Sequence, residues 1–155
     1  MMDSSVHKQL HFKSVNAENR REVEGLTVFS EQTGFIESVS ECLREADELE
    51  LWRPVGIYDS DTLIGFAMYG YFPEPAPGQL WLDRLLIDKR YQGKGYGKQA
   101  VLSLLDRLHT EYQSGTVYLS VHENNPHAIK LYQQIGFRFN GKYDSKGEHI
   151  MEYHF

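Results

Sequence analysis

Nine residues in the second half of the chain, Arg90-Tyr91-Gln92-Gly93-Lys94-Gly95-Tyr96-Gly97-Lys98, place glycine on alternate positions three times. The run before them, Leu80 to Ile87, is apolar enough for a buried strand, and Ala100, Val101, Leu104, Leu105 and Leu108 after them recur at helical spacing. A strand, a glycine turn and a helix therefore follow one another. Glycine accepts positive φ and lets the backbone approach a ligand, so successive N–H groups can form a concave nest where the helix dipole also favours negative charge. Lys89, Arg90, Lys94 and Lys98 add local positive charge. A tight turn with a solvated basic face would be spelled in the same way. The stretch lacks the Gly-Lys-Ser/Thr of a P-loop, which argues against nucleotide hydrolysis. Gly95 to Ala100 formally fits the dinucleotide pattern G-x-G-x-x-A, and Glu123 ends the next strand. Only Val117 to Val121 and a closing hairpin follow, however, too few strands for a dinucleotide fold.

Periodicity sets the remaining elements. Leu10 to Val15 reads as a first strand, Glu18 to about Ser30 and Phe35 to Ala46 as two helices separated at Thr33-Gly34, and Trp52-Arg53-Pro54 as the end of the second. Val55 to Tyr58 and Leu63 to Tyr71 form a hairpin around Asp59-Ser60-Asp61, followed by a proline-rich loop from Pro73 to Gly78. Pro126 to Gly136 is a helix with a glycine stop, and two strands with a turn at Asp144 to Gly147 close the chain. Asp83 and Arg84 interrupt an otherwise apolar strand, which requires a reason.

With 155 residues and 41% hydrophobic content, one domain with its own core is expected over 1–155, and residues 1–9 are expected to be a flexible N-terminal extension. A net charge of −6 gives no general attraction to nucleic acid and suits cationic partners. The single cysteine, Cys42, reads as packing beside Ile36, Val39 and Leu43, which fits a cytoplasmic location and excludes thiolate metal sites. No apolar run is long enough to span a bilayer, so no membrane association is expected. His122, His127 and His149 lack compact ligand spacing, and no metal is expected.

The spelling Gln92-Gly93-Lys94-Gly95-Tyr96-Gly97 matches the Q/R-x-x-G-x-G/A motif of the GNAT N-acetyltransferases. Downstream, Asn125-Pro126-His127-Ala128-Ile129-Lys130-Leu131-Tyr132 with Gly136-Phe137 resembles that family's N-x-x-A-x-x-L-Y-x-x-x-G-F element. Phe35-Ile36-Glu37-Ser38, Pro54 to Tyr58, Gly65 to Gly70, Trp81 to Arg84 and Phe139-Asn140-Gly141 are similar to the bacterial spermine/spermidine acetyltransferases of that family. The resemblance covers nearly the whole chain. It implies an α/β (α+β) fold with a mixed, mostly antiparallel sheet flanked by helices and two splayed strands, acetyl-CoA as co-substrate, and a polyamine as acceptor. It also implies a homodimer, the state of many members.

Carried over residue by residue, the resemblance assigns coenzyme contacts to Leu85, Leu86 and Ile87 on the splayed strand, to Gln92, Gly93, Lys94, Gly95, Tyr96, Gly97 and Lys98, and to Asn125. Tyr132 would protonate the departing thiolate; a structural tyrosine against Leu131 or Phe137 is the alternative, as a helix N-cap is for Asn125. An alkylamine with a pKa of about 10.4 is mostly protonated at neutral pH, so its nitrogen needs a proton acceptor. Asp83 is the candidate. An ion pair with Arg84 is the alternative, although neighbours on a regular strand face opposite ways. Glu37, Glu41 and Glu45 recur every fourth residue, and with Asp83 and the rings of Tyr69, Tyr71 and Trp81 they could bind a polycation by ion pairs and cation–π contacts. Glu74 in the proline-rich loop is a weaker candidate. An amine of another kind, a peptide N-terminus, or a non-catalytic acyl-CoA-binding module are the other readings.

Overall fold

The computed structural model describes residues 10–29, 32 and 38–155. Residues 1–9, 30–31 and 33–37 lie outside that set, and with them the expectations for the N-terminal extension, the break at Thr33-Gly34, the helix start at Phe35 and Glu37. The strands are β1 (His11–Ser14), β2 (Trp52–Asp59), β3 (Thr62–Phe72), β4 (Gln79–Ile87), β5 (Thr116–Val121), β6 (Arg138–Tyr143) and β7 (His149–His154); the helices are α1 (Arg20–Glu24), α2 (Val39–Glu48), α3 (Tyr96–Tyr112) and α4 (Pro126–Ile135). The strands form one sheet in the order β1-β2-β3-β4-β5-β7-β6. Every neighbouring pair is antiparallel except β4 and β5, so the sheet is mixed and mostly antiparallel as expected.

Both faces of the sheet are covered. On one, Ala100, Val101, Leu104, Leu105 and Leu108 of α3 pack on Ile64, Leu80, Val117 and Met151. On the other, Val23 of α1 and Val39, Cys42 and Leu43 of α2 pack on Phe66, Met68 and Leu86. The helix ends follow from their sequences. Ser38 Oγ accepts the Glu41 N–H while Glu41 returns a bond to the Ser38 N–H, a capping box that starts α2. Asn125 caps α4 at the Ala128 N–H with Pro126 in its first turn, and Gly136 stops it at φ +127°.

The first helix is much shorter than Glu18 to Ser30. Beyond Gly25, the Thr27 N–H goes to the Asp88 carboxylate at 3.0 Å and the Thr27 carbonyl accepts the Lys89 N–H at 2.7 Å. A helix would have engaged those groups internally, so a tertiary contact overrides the periodic pattern. Strand β2 begins at Trp52, before the expected Val55, because the Pro54 carbonyl accepts the Val15 N–H at 3.0 Å and so joins the sheet.

Two irregularities shape the interior. Strands β4 and β5 pair only at Leu80↔Val117 and Trp81↔Tyr118 and then part. Opposite β3, Met68 faces Arg84 while Tyr69 faces Leu82, which leaves Asp83 as an extra residue. A β-bulge of this kind breaks the up-down alternation of side chains. It is the reason for a charged pair inside an apolar strand.

Candidate active site

Where β4 and β5 part, they open a cavity of ≈ 1390 Å³. One wall is residues 82–87 of β4, the other residues 119–122 with the start of α4, and the glycine turn closes one end. Leu85, Leu86 and Ile87 all line it, as do Gln92, Gly93, Gly95, Tyr96, Gly97, Lys98, Asn125 and Tyr132. Lys94 does not. Its ammonium lies 5.9 Å from the centre of the Tyr91 ring, outside the lining.

The turn is held open by specific bonds. Gln92 Nε2 donates to the Ile87 carbonyl at 2.9 Å and exchanges amide hydrogen bonds with Gln32 at 3.0 Å. The side chain of Gln92 thus fastens the turn to the end of β4. Gly93 at φ +79° and Gly95 at φ +85° need the left-handed region, and at neither would an added Cβ meet an atom within 4 Å. Gly95 is the N-cap of the 17-residue α3 and provides no side-chain cap, so the first amides of a long helix face the cavity without a protein acceptor on that residue. Tyr96 anchors the same helix end by donating its hydroxyl to Asp59.

Tyr132 projects from α4, packed edge-on against Phe137 with ring centres 5.6 Å apart. Burial pushes its hydroxyl up to about 12, so the phenol stays protonated at neutral pH. Asn125 both lines the cavity and caps α4, accepting the Ala128 N–H at 3.3 Å.

At the other end the walls are acidic and aromatic. Glu41, Glu45, Glu74, Asp83, Asp144 and Glu148 line this region with Trp52, Phe72 and Trp81. The bulge turns Asp83 and Arg84 toward the same side, and Arg84 Nη1 donates to the Asp83 carboxylate. Arg84 Nη2 reaches Glu45 at 3.2 Å and so ties β4 to α2. Trp81 Nε1 donates to Gln79 at 3.1 Å, and its ring lies 5.4 Å from that of Tyr118.

Tyr69 does not belong to the site. It is 1% exposed on the α3 side of the sheet, where its hydroxyl donates to Glu111 and accepts from Arg107, both at 3.2 Å. Tyr71 likewise stacks on Tyr112. The aromatic wall comes instead from Trp52 and Phe72, whose rings meet edge-on at 4.8 Å. Strand parity held that signal, because Phe72 alternates with Tyr69 and Tyr71.

Asp88 has a structural part that its sequence position does not suggest. It is 1% exposed and accepts the N–H groups of Thr27 and Arg90 and the Arg90 guanidinium. Burial alone would raise its carboxyl, but these bonds outweigh it and hold the group below its usual range.

The relatives agree with this geometry. Residues 15–137 match the Acetyltransferase (GNAT) family. The chain is 46% identical over 146 residues to the spermine/spermidine N(1)-acetyltransferase of Bacillus subtilis (strain 168), an alignment covering 92% of this chain and 96% of that protein. Over 84 residues it is 32% identical to the N-alpha-acetyltransferase RimI of Mycobacterium tuberculosis, covering 54% of this chain and 51% of that one. The spermidine N-acetyltransferase of Vibrio cholerae, solved with CoA and spermine, has the same fold at TM-score 0.72 and 19% identity over 94% of this chain and 95% of its own. The aminoglycoside-bound enzyme AAC(6')-Ib, solved with paromomycin and acetyl-CoA, does so at TM-score 0.78 and 18% identity over 94% and 93%. Family match, extended identity and a sheet parted at its one parallel seam agree: the chain belongs to the GNAT acetyltransferase family.

Proposed function

We propose that this enzyme transfers the acetyl group of acetyl-CoA to a primary amine of spermine or spermidine within one ternary complex. The observation that carries the reading is the polarity of the cavity between β4 and β5. Helix amides and Lys98 gather at the glycine turn, whereas carboxylates and indole rings gather beyond the bulge. A diphosphate suits the first end and a chain of ammonium groups the second. The 46% identical relative is named for spermine and spermidine, which supports the same acceptor class here.

Acetyl-CoA supplies an activated carbonyl carbon. The open amides of residues 93–98 fit its diphosphate, because the positive-φ glycines leave that backbone unobstructed. Main-chain groups of Leu85, Leu86 and Ile87 that face the gap are without a β5 partner, and they would hold the pantetheine arm. One such N–H can donate to the thioester oxygen as charge grows on it. Tyr132, kept neutral by burial, would give its proton to the departing sulfur. Glu41, Glu45 and Asp83 would hold the polycation beside Trp81; Glu37, four positions before Glu41 in the sequence, is proposed with them.

Turnover with acetyl-CoA should be measured against spermine, spermidine, putrescine, an aminoglycoside and a peptide with a free N-terminus. Spermine and spermidine should have the highest kcat/KM, and a rate no better than that of the other amines would defeat the reading. Tyr132→Phe should lower kcat by about 100-fold while coenzyme affinity is kept. Absence of turnover with every amine, despite coenzyme binding, would favour an acyl-CoA-binding module.

A further inference from the structure

The carboxylates of β4 and α2 in the cavity are already engaged. Asp83 and Glu45 share the Arg84 guanidinium, whose side chain is only 14% exposed, and Glu41 closes the capping box of α2. A carboxylate clamped by a guanidinium is a weak proton acceptor. Glu148 is placed differently. It precedes β7, is partly buried, and lines the cavity. Among the described residues its carboxylate takes part in no hydrogen bond or ion pair.

Its backbone is fixed all the same. The Glu148 N–H donates to Asp144 Oδ1 at 2.8 Å, and the Asp144 N–H donates to the Glu148 carbonyl at 2.9 Å. Asp144 Oδ1 also accepts the Lys146 N–H at 2.9 Å, which closes the turn on itself. Strands β5 and β7 pair through Val121↔His149, and one further step in that register sets Glu148 opposite His122. His122 Nδ1 accepts the Asn124 N–H at 3.1 Å, so a neutral ring carries its proton on Nε2. Glu148 therefore stands on the β5–β7 side of the opening, across from the bulge of β4, in the cavity that Tyr132 lines from α4.

We propose that Glu148 is the proton acceptor for the attacking amine, the part expected of Asp83; the inference rests on the amine-acetylating reading above. Burial raises its carboxyl above the usual range, Asp144 adds to the rise, and His122, Lys146 and Arg84 oppose it. The ammonium gives one proton to Glu148, and its nitrogen then forms the C–N bond. The C–S bond breaks, and the sulfur takes the Tyr132 proton. Tyr132 recovers that proton from the nitrogen, and Glu148 releases its own to solvent. The sum is ammonium plus thioester giving amide, thiol and one proton.

The test uses the full chain with Glu148→Gln, Glu148→Asp and Asp83→Asn, acetyl-CoA and spermidine, from about pH 5.5 to 9.5. Glu148→Gln should lower kcat by about 100-fold, remove the acidic limb of the profile, and leave coenzyme affinity and circular dichroism unchanged. Glu148→Asp should restore the limb in part. A fluorinated polyamine whose nitrogen is already neutral should be acetylated with a much smaller defect, a rescue that loss of binding alone would not produce. An effect confined to the amine KM, or an acidic limb lost in Asp83→Asn and kept in Glu148→Gln, would overturn the proposal. If the unaltered enzyme prefers another amine, the polyamine reading fails, and the same comparison of variants is made on the amine that it accepts.

Discussion

Asp88 holds together segments far apart in sequence. Its carboxylate joins the end of β4, the short 3-10 turn Lys89–Tyr91, and Thr27 beyond α1. Removing the charge leaves buried donors without an acceptor, so Asp88→Ala should cost about 2–4 kcal/mol in denaturant unfolding. The pH dependence has a definite sign. The folded carboxyl titrates below its unfolded value of 3.8, so its contribution is fully present above that value and is lost as pH falls through the folded one. In Asp88→Ala, stability should fall less steeply on acidification below about pH 4 than in the unaltered protein. An equal acid dependence in both would remove Asp88 from this role. Sequence gave little hint of it, since an aspartate before Lys89 and Arg90 looks like ordinary surface until Thr27 is seen to reach it.

At the level of elements, the start of α3 separates folding from binding. Gly95 needs its positive φ, so Gly95→Ala should destabilise the protein by roughly 1 kcal/mol. Gly97 has no such need. A Cβ there would meet Leu131 Cδ2 at 3.6 Å, an ordinary contact, while its other side faces the cavity. Gly97→Ala should therefore raise the melting temperature slightly, through a helix-propensity gain of less than about 1 kcal/mol in the first turn, and yet weaken coenzyme binding measured by calorimetry. Unchanged affinity would mean that no ligand passes close to that residue. The glycine turn, α3 and α4 were legible because each is set by local periodicity and caps. The bulge at Asp83 was not, because it exists only in the register with β3. Strand parity separates Tyr69 from Phe72, but which parity meets the cavity depends on the layers packed on the sheet, and Glu148 is brought to the cavity only when the last hairpin folds against β5.

Across the whole molecule, the net charge of −6 is unevenly used: the glycine turn concentrates cations, while the far end of the cavity concentrates carboxylates. Composition predicted a cationic partner, and the family resemblance implied a mixed, mostly antiparallel sheet with two splayed strands, but neither revealed how few residues join its two parts. Strands β1 to β4 and the β5-β7-β6 group meet through two residue pairs. Amide deuteration should reveal this seam as a boundary between two sets of exchange rates. In the free enzyme, the N–H groups of residues 82–87 that point away from β3 should exchange within seconds, and coenzyme should slow them by orders of magnitude while leaving β2 and β3 nearly unaffected. Slow exchange there without ligand would show a closed seam. In the proposed complex the thioester arm would act as an additional strand, and saturation with it should merge the two halves into a single unit of cooperative opening.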